Sequence, residues 1–145
     1  MPQFIPISLR IGPFTTAIPE NDVVLDERAV VASDVGLCQM WARLYRNIAT
    51  PESFMQSGVW NAMSFALPTA IVAKMEYPQR DVVALAGDGA FLMTIGDLPT
   101  AAEYGANIMM VVHNNSTFGQ TYMQDRKSTR LNSSHTDISR MPSSA

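Results

Sequence analysis

The feature that most constrains the fold is a pair of short apolar runs separated by one helix length. Val82–Ala86 (VVALA) and Ile108–His113 (IMMVVH) each have the length and β-branched content of a buried strand. Between them, Thr94–Tyr104 has the pattern of a helix, with Thr94 as its predicted cap and Gly105 as its stop. This order of strand, helix and strand predicts parallel pairing with a right-handed crossover.

Similar patterns occur upstream, and together they predict one α/β domain. Its fold class is a parallel sheet flanked by helices on both faces. Pro68 is tolerated near the start of a helix but not deep inside one. Residues 1–28 are assigned as a lead-in, because Pro6, Gly12, Pro13 and Pro19 interrupt every longer period, and we expect only a short helix and a strand there. The further predicted elements are a strand at Ala29–Ala32 and helices at Leu37–Arg46 and Met63–Met75.

The last 21 residues, 125–145, differ in composition from the rest of the chain, with six Ser and no strand or helix period. Residues 125–135 (DRKSTRLNSSH) can be written in codons that look like a common sequencing-library adapter, and 139–145 fit its other arm in a shifted frame. We therefore predict that residues 125–145 are a non-native tail and that the domain comprises residues 29–124.

The bulk composition narrows the function classes. The chain is 47% hydrophobic and has a formal net charge of −3, so no basic face for nucleic acid is expected. Cys38 is the single cysteine, which excludes an internal disulfide and favours a cytoplasmic location. No apolar run approaches the roughly 20 residues of a membrane span, and the first residues do not have the pattern of a signal peptide. We expect neither a membrane nor a nucleic-acid partner.

A Gly87-Asp88-Gly89 triplet ends the first predicted strand, and Asn115 follows the second, 27 residues after Asp88. Parallel strands open on the same edge of a sheet, which is where such folds bind ligands. A carboxylate and an amide oxygen there suit Mg²⁺, which takes a few protein oxygens together with phosphate and water. The glycines let backbone amides approach phosphate, and a following helix start adds a positive dipole.

Two other interpretations of this triplet compete with a phosphate and metal site. Alone, it would more often be a tight turn after a strand, although the spacing to Asn115 argues against that. A dinucleotide-binding fingerprint would need Gly at position 92, where the chain has Leu92. A nucleotide-dependent oxidoreductase is therefore disfavoured.

The block VVALAGDGAFLMTIGDLPTAAEYGANIMMVVHNN, residues 82–115, resembles the cofactor motif of the thiamine diphosphate enzymes of the acetolactate synthase, pyruvate oxidase and benzoylformate decarboxylase type. The similarity covers roughly residues 21–124 and implies a thiamine diphosphate-binding fold that is truncated at its C-terminal end. It implies Mg²⁺ ligands at the Asp88 and Asn115 side chains and the Thr117 carbonyl. It places Gly87, Gly89, Ala90, Phe118 and Gly119 against the cofactor.

A second match to the same family is SGVWNAMSFALPTAI, residues 57–71, which resembles its G-x-M-G-x-x-L-P-A-A-I pattern. The resemblance makes Met63 the apolar wedge that bends the cofactor between its two rings. Met suits this task because its thioether is polarizable and packs well on aromatic faces. The alternative is that Met63 simply fills the core. The carbonyl of Asn61 would accept a hydrogen bond from the aminopyrimidine.

A third match, SDVGLCQMW, residues 33–41, resembles the family's D-x-G-x-x-x-x-W segment, which meets the diphosphate from the other side. It assigns cofactor contacts to Gly36, Leu37 and Cys38. Leu37 and Cys38 replace a Gln and His pair of acetolactate synthases, so only backbone hydrogen bonds to phosphate are available from this turn. Asn61 stands where the family usually has Gly, and Ser64 replaces the Gly after Met63.

The resemblance implies a fragment of a 2-keto acid decarboxylase or carboligase, similar to an acetolactate synthase large subunit. Its cofactors would be thiamine diphosphate and Mg²⁺, and its parent a homodimer or homotetramer with the cofactor at a subunit interface. The chain alone is expected to be inactive, because the glutamate that contacts the pyrimidine ring belongs to a separate domain. The alternative is a degenerate, non-catalytic relative that serves as a binding or assembly module.

Overall fold

The computed structural model describes residues 8–12, 25–46, 48 and 50–123 of the chain. They form a five-stranded sheet in the order β1-β5-β4-β2-β3, and every neighbouring pair is parallel. The strands are β1 (Ser8–Gly12), β2 (Val30–Ser33), β3 (Phe54–Gln56), β4 (Val82–Gly87) and β5 (Met109–His113). The helices are α1 (Leu37–Tyr45), α2 (Ala66–Glu76), α3 (Asp88–Thr94) and α4 (Leu98–Glu103). Short 3₁₀ turns occupy Pro51–Ser53 and Ile95–Asp97.

The centre of the sheet is covered on both faces. All four residues of β2 are buried, and successive side chains of a strand point to opposite faces. Both faces of β2 must therefore be packed against other parts of the chain, as expected for an all-parallel sheet. The predicted α/β class, with a parallel sheet flanked by helices, is confirmed.

The main core lies on the face of the sheet that carries the even-numbered side chains. Leu67 of α2 is fully buried there, and a side chain of this kind stabilises the fold by about 1.5–3 kcal/mol when it is removed from water. Small residues of α2 allow the helix to lie close to the strands. The cluster comprises Val30, Ala32, Ala66, Leu67, Ala70, Ile71, Ala73, Val82, Ala84, Ala86, Ala90, Phe91, Ala101, Ala106, Ile108, Met110 and Val112.

The connection between β4 and β5 differs from the predicted single helix at Thr94–Tyr104. The segment contains the end of α3, a 3₁₀ turn and then α4. The hydroxyl of Thr94 donates to the carbonyl of Ala90 at 3.4 Å, so Thr94 does not cap the following helix as predicted. Pro99 explains the break, because it lacks an N–H and its ring clashes with the preceding turn unless it lies near a helix start. Gly105 ends the connection with φ 67°, as predicted for a stop.

The helix predicted at Met63–Met75 begins later, at Ala66. Ser64 has φ 72° and cannot belong to a right-handed helix. Pro68 is the third residue of α2, where its missing N–H would have no partner inside the helix in any case.

The predicted lead-in contributes β1, which pairs with β5 along the sheet edge. The short helix expected within residues 1–28 does not occur in the described parts of that range, 8–12 and 25–28, and the rest of the range lies outside the described residues. Residues 125–145 also lie outside them. Among the helices that the structure describes, none is long and apolar enough to cross a bilayer.

Candidate cofactor and metal site

The parallel register brings three chain segments to one edge of the sheet. Ser33 pairs with Leu85, and Gly87 pairs with His113, so β2, β4 and β5 all end on the same side. Asp34 and Asp88 directly follow the first two of these strands. The Asn114–Asn115 pair follows the third, as the sequence spacing predicts.

Asp88 connects the ends of β4 and β5. Its Oδ1 accepts a hydrogen bond from the Gly89 amide at 2.9 Å, and its Oδ2 accepts one from the Ser116 amide at 2.9 Å. Since α3 begins at Asp88, the carboxylate also lies at a helix start, where negative charge is favoured. Asp88 is therefore ordered beside the residues that follow β5.

The segment after β5 forms a tight turn whose side chains bond its own backbone. The Asn114 Oδ1 accepts from the amide and the hydroxyl of Ser116 at 3.2 and 3.1 Å. The Asn115 Oδ1 accepts from the Thr117 amide at 3.2 Å. Ser116 adopts φ 51°, so the chain reverses here and residues 119–123 continue as a helical segment. The oxygens of Asn115 and Asp88 face the same turn.

Gly89 lies against the segment that precedes α2. A Cβ built on Gly89 would lie 3.4 Å from the Met63 Cε and 3.9 Å from the Phe118 Cε1. Met63 also packs against the apolar core, and Phe118 is 70% exposed. The predicted wedge residue therefore lies beside Gly89, which the sequence places 26 residues later.

Gly119 approaches the turn that follows β2. A Cβ on Gly119 would lie 2.5 Å from the Leu37 Cδ1 and 3.2 Å from the Asn115 Nδ2, so any larger residue would force Leu37 to move. The three sequence matches, which are distant along the chain, thus meet at one sheet edge. Leu37 provides an apolar contact here, in agreement with the expectation that this turn offers phosphate no side-chain hydrogen bond.

The turn that carries Met63 is held in an unusual backbone conformation. Asn61 and Ser64 have φ 43° and 72°, at the two positions where the resembling family has Gly. A non-glycine residue in this region costs about 1–2 kcal/mol, and Asn tolerates it better than Ser. The amide of Ala62 donates to the Ser57 Oγ at 3.0 Å, which holds the first half of the turn.

Cys38 lies inside the fold and not on the ligand side of its turn. Its Sγ donates to the carbonyl of Asp34 at 3.5 Å, and burial raises the pKa of the thiol to about 11, with the charge of Asp34 acting in the same direction. Gly36 has φ 137°, a conformation that L side chains rarely adopt. Any contact of Cys38 with a ligand would have to use its backbone.

Ala90 and His113 are both buried beside the site. Ala90 belongs to the apolar core, so a diphosphate could meet only its backbone. Burial lowers the pKa of His113, and the nearby negative charge of Asp88 opposes that shift. His113 is thus a packed side chain beside the site. Trp60 is 89% exposed and does not belong to the core.

Sequence reasoning missed the role of Asp34. Its carboxyl group is fully buried, and its Oδ1 accepts from the amides of Phe65 and Ala66 at 2.5 and 3.1 Å. Burial raises the pKa of this carboxyl, whereas the backbone hydrogen bonds oppose the shift. The sequence signal was the first position of the D-x-G match, where Asp34 stands. That match did not indicate that Asp34 accepts the first amides of α2, a helix that begins without a local capping side chain.

The arrangement suits a phosphate-bound cation better than a metal held by protein alone. Within the described residues, no group of three or more His, Cys, Asp or Glu side chains could hold a metal ion. Asp88 and Asn115 nevertheless place hard oxygen atoms at one turn, beside Gly87, where an added Cβ would meet nothing within 4 Å. Mg²⁺ normally completes such a set with water and substrate phosphate.

A comparison with protein families gives one match. The model described as the thiamine pyrophosphate enzyme, C-terminal TPP binding domain, matches residues 34–144. The interval begins at Asp34 and contains every segment that meets at the sheet edge. It also runs through residues 125–144, whose non-native origin stays a prediction.

Curated relatives carry names of the same class. A probable acetolactate synthase large subunit of Methanococcus aeolicus is 36% identical over 70% of this chain and 17% of its own length. The chloroplastic acetolactate synthase of Arabidopsis thaliana is 31% identical over 92% of this chain and 21% of its own. The acetolactate synthase isozyme 1 large subunit of Escherichia coli K12 is 33% identical over 69% of this chain and 18% of its own length. The chain therefore spans about a fifth of the length of these relatives.

Proposed function

Because the chain belongs to the thiamine pyrophosphate enzymes, through their C-terminal TPP-binding domain, we propose that its sheet edge binds thiamine diphosphate together with Mg²⁺. The observation that carries this proposal is the hydrogen bond from the Ser116 amide to Asp88, which joins the two ends of the family motif. The carboxylate would supply the charged ligand of the cation. The Asn115 side chain and the Thr117 carbonyl would complete the protein ligands.

The diphosphate would lie against backbone groups of the surrounding turns. These are Gly87, Gly89 and Ala90 after β4, Phe118 and Gly119 after β5, and Gly36, Leu37 and Cys38 after β2. A Cβ at Gly119 would lie 2.5 Å from the Leu37 Cδ1, so a larger residue there would displace the Leu37 side chain. The Leu37 side chain would exclude water from one side of the diphosphate.

Met63 and Asn61 would contact the organic part of the cofactor. Met63 lies beside Gly89, next to the proposed diphosphate site, and its thioether would pack between the two rings. The Asn61 carbonyl would accept a hydrogen bond from the aminopyrimidine. When bound, the cofactor supplies the electron sink for decarboxylation of a 2-keto acid, and the protein holds it in position.

For the parent protein we propose a lyase or transferase that decarboxylates or joins small 2-keto acids, as the names of the relatives suggest. We propose that the parent is a homodimer or homotetramer with the cofactor at a subunit interface, and that this chain alone does not turn over substrate. A cytoplasmic location is also part of the proposal, and it rests on the single cysteine.

One observation favours a second candidate function, a cofactor-domain relative without catalysis. Leu37 packs directly on Gly119, and the Cys38 side chain is buried, so the turn after β2 offers a diphosphate no side-chain hydrogen bond from these two positions. Binding without turnover in the full-length parent would support this alternative.

The proposed function is tested by calorimetric titration of the chain with thiamine diphosphate in the presence and absence of Mg²⁺. We expect Mg²⁺-dependent binding that Asp88→Ala reduces by at least about 100-fold, because a charged metal ligand is lost. Asp81→Ala is the matched control, since Asp81 is exposed before the opposite end of the same strand. Equal affinity of the Asp88 variant and the wild type would show that Asp88 only joins the ends of β4 and β5 and does not hold a cation.

A further inference from the structure

Asp34 is a fully buried carboxyl group to which the proposed cofactor chemistry assigns no task. It follows β2 at the same sheet edge as Asp88, but its Oδ1 points to the start of α2 and accepts the amides of Phe65 and Ala66. Its Oδ2 is also buried and has no hydrogen-bond partner. The carboxyl group therefore occupies the first amides of α2, which would otherwise be available to bind an external anion.

The two amides that donate to Asp34 lie at the end of the turn that carries Met63, on its last residue and on the residue that follows. We call residues 61–65 the wedge turn. Its backbone passes through positive φ at Asn61 and Ser64, so it is not the conformation that these residues adopt by preference. Ser57 holds the turn at one end through the Ala62 amide, and Asp34 holds it at the other.

Asp34 also belongs to the turn that approaches the proposed diphosphate site from β2. Its carbonyl accepts hydrogen bonds from the Ser33 hydroxyl at 3.2 Å and the Cys38 thiol at 3.5 Å, which fix its own backbone. The side chain thus crosses from one ligand-facing segment to another. No other side chain of the described residues is recorded with hydrogen bonds to both Phe65 and Ala66.

We propose that Asp34 is a positioning residue that fixes the wedge turn, and with it Met63 against Gly89, in the geometry that the rings of the cofactor require. The proposal rests on the proposed function and deepens it. Asp34 acts through Met63 and touches neither the cation nor the diphosphate. Loss of the Asp34 carboxyl group should therefore weaken binding of the cofactor rings and leave binding of the diphosphate group unchanged.

The test compares two ligands by NMR titration of the chain in the presence of Mg²⁺: thiamine diphosphate and inorganic diphosphate. We expect Asp34→Ala to raise the Kd for thiamine diphosphate about tenfold, because it removes a charge-assisted acceptor of two amides. The Kd for inorganic diphosphate should change less than about twofold. Asp34→Asn should recover most of the loss, since its amide oxygen can accept the same two N–H groups.

Ser53→Ala is the matched control, because Ser53 is as fully buried as Asp34 but its hydroxyl donates to the Thr50 carbonyl, away from Asp34 and from the wedge turn. It should leave both affinities unchanged. Unaltered thiamine diphosphate binding by Asp34→Ala, or equal loss of both ligands, would overturn the positioning role. Failure of the wild-type chain to bind either ligand would instead overturn the proposed function, and this inference with it.

A second measurement keeps the inference testable if Asp34→Ala does not fold. In the wild-type chain, the Phe65 and Ala66 amide protons should exchange slowly with solvent, because Asp34 accepts both in a buried position. Exchange at the rate of unprotected loop amides would contradict the proposed tether.

Discussion

At the scale of single residues, burial decides which polar groups can react. Asp34 and Cys38 are four residues apart in the same turn, and both are buried. The thiol bonds a carbonyl inside the fold, whereas the carboxyl group bonds two amides of another segment. Asp88, by contrast, is half-buried and bonds the amides that surround the proposed cation site. The two aspartates, Asp34 and Asp88, thus differ in role because one is buried and the other is half-buried.

Cys38 should react slowly with alkylating reagents as long as the chain is folded. With a pKa of about 11 instead of 9.0, the thiol carries about 100-fold less thiolate at pH 8, and burial hinders access further. The measurement is the rate of iodoacetamide labelling in buffer and in denaturant, with Cys38→Ala as the control for labelling elsewhere. The labelling rate should increase as pH rises toward 11. Equal rates in the folded and unfolded chain would contradict the described burial.

The placement of the candidate residues at one sheet edge could be predicted from the sequence where a short motif follows a strand. Asp88 and Asn115 were assigned correctly to one edge because parallel strands must open on the same side. The contact of Met63 with Gly89 was implied by resemblance only. The tether from Asp34 to α2 could not be predicted, because it joins residues about 30 positions apart and depends on the packing of β2 against α2.

At the scale of elements, the ends of helices are set by backbone constraints more than by periodicity. The apolar pattern continues through Pro99 and through Ser64, yet the helices begin again at Leu98 and Ala66. A proline ring and a positive φ angle each interrupt a helix that side-chain spacing alone would continue. The strand predictions were better, because β4 and β5 are short apolar runs with clear ends.

Ser64→Gly should stabilise the chain, because glycine adopts φ 72° without the strain that a Cβ imposes. We expect the free energy of unfolding to rise by about 0.5–1.5 kcal/mol, since relief of the strain exceeds the added entropy of the unfolded chain. Ala62→Gly, two residues earlier and without positive φ, is the control and should destabilise the chain by about 0.5–1 kcal/mol. Denaturant titrations measure both. A loss of stability in the Ser64 variant would show that the turn relaxes in solution.

At the scale of the whole molecule, the sheet serves as a frame that brings distant segments to one edge. The α1 face carries exposed apolar side chains, including Trp41 stacked on Tyr45 with ring centroids 5.7 Å apart. The chain corresponds to about a fifth of the length of its curated relatives, so the proposed activity belongs to a larger protein. The property that can be tested on this chain itself is the cofactor site.

The most direct test of the central claim replaces Mg²⁺ by paramagnetic Mn²⁺ in the presence of thiamine diphosphate and follows the amide signals of the chain by NMR. The account predicts that the signals of Gly89, Ser116 and Thr117 broaden first, because they surround Asp88 and Asn115. The broadening should disappear in Asp88→Ala and persist in Asp81→Ala. Broadening that begins at the exposed acids Glu52, Glu76 and Glu103, with the Gly89 and Ser116 signals unaffected, would contradict a cation site at this edge of the sheet.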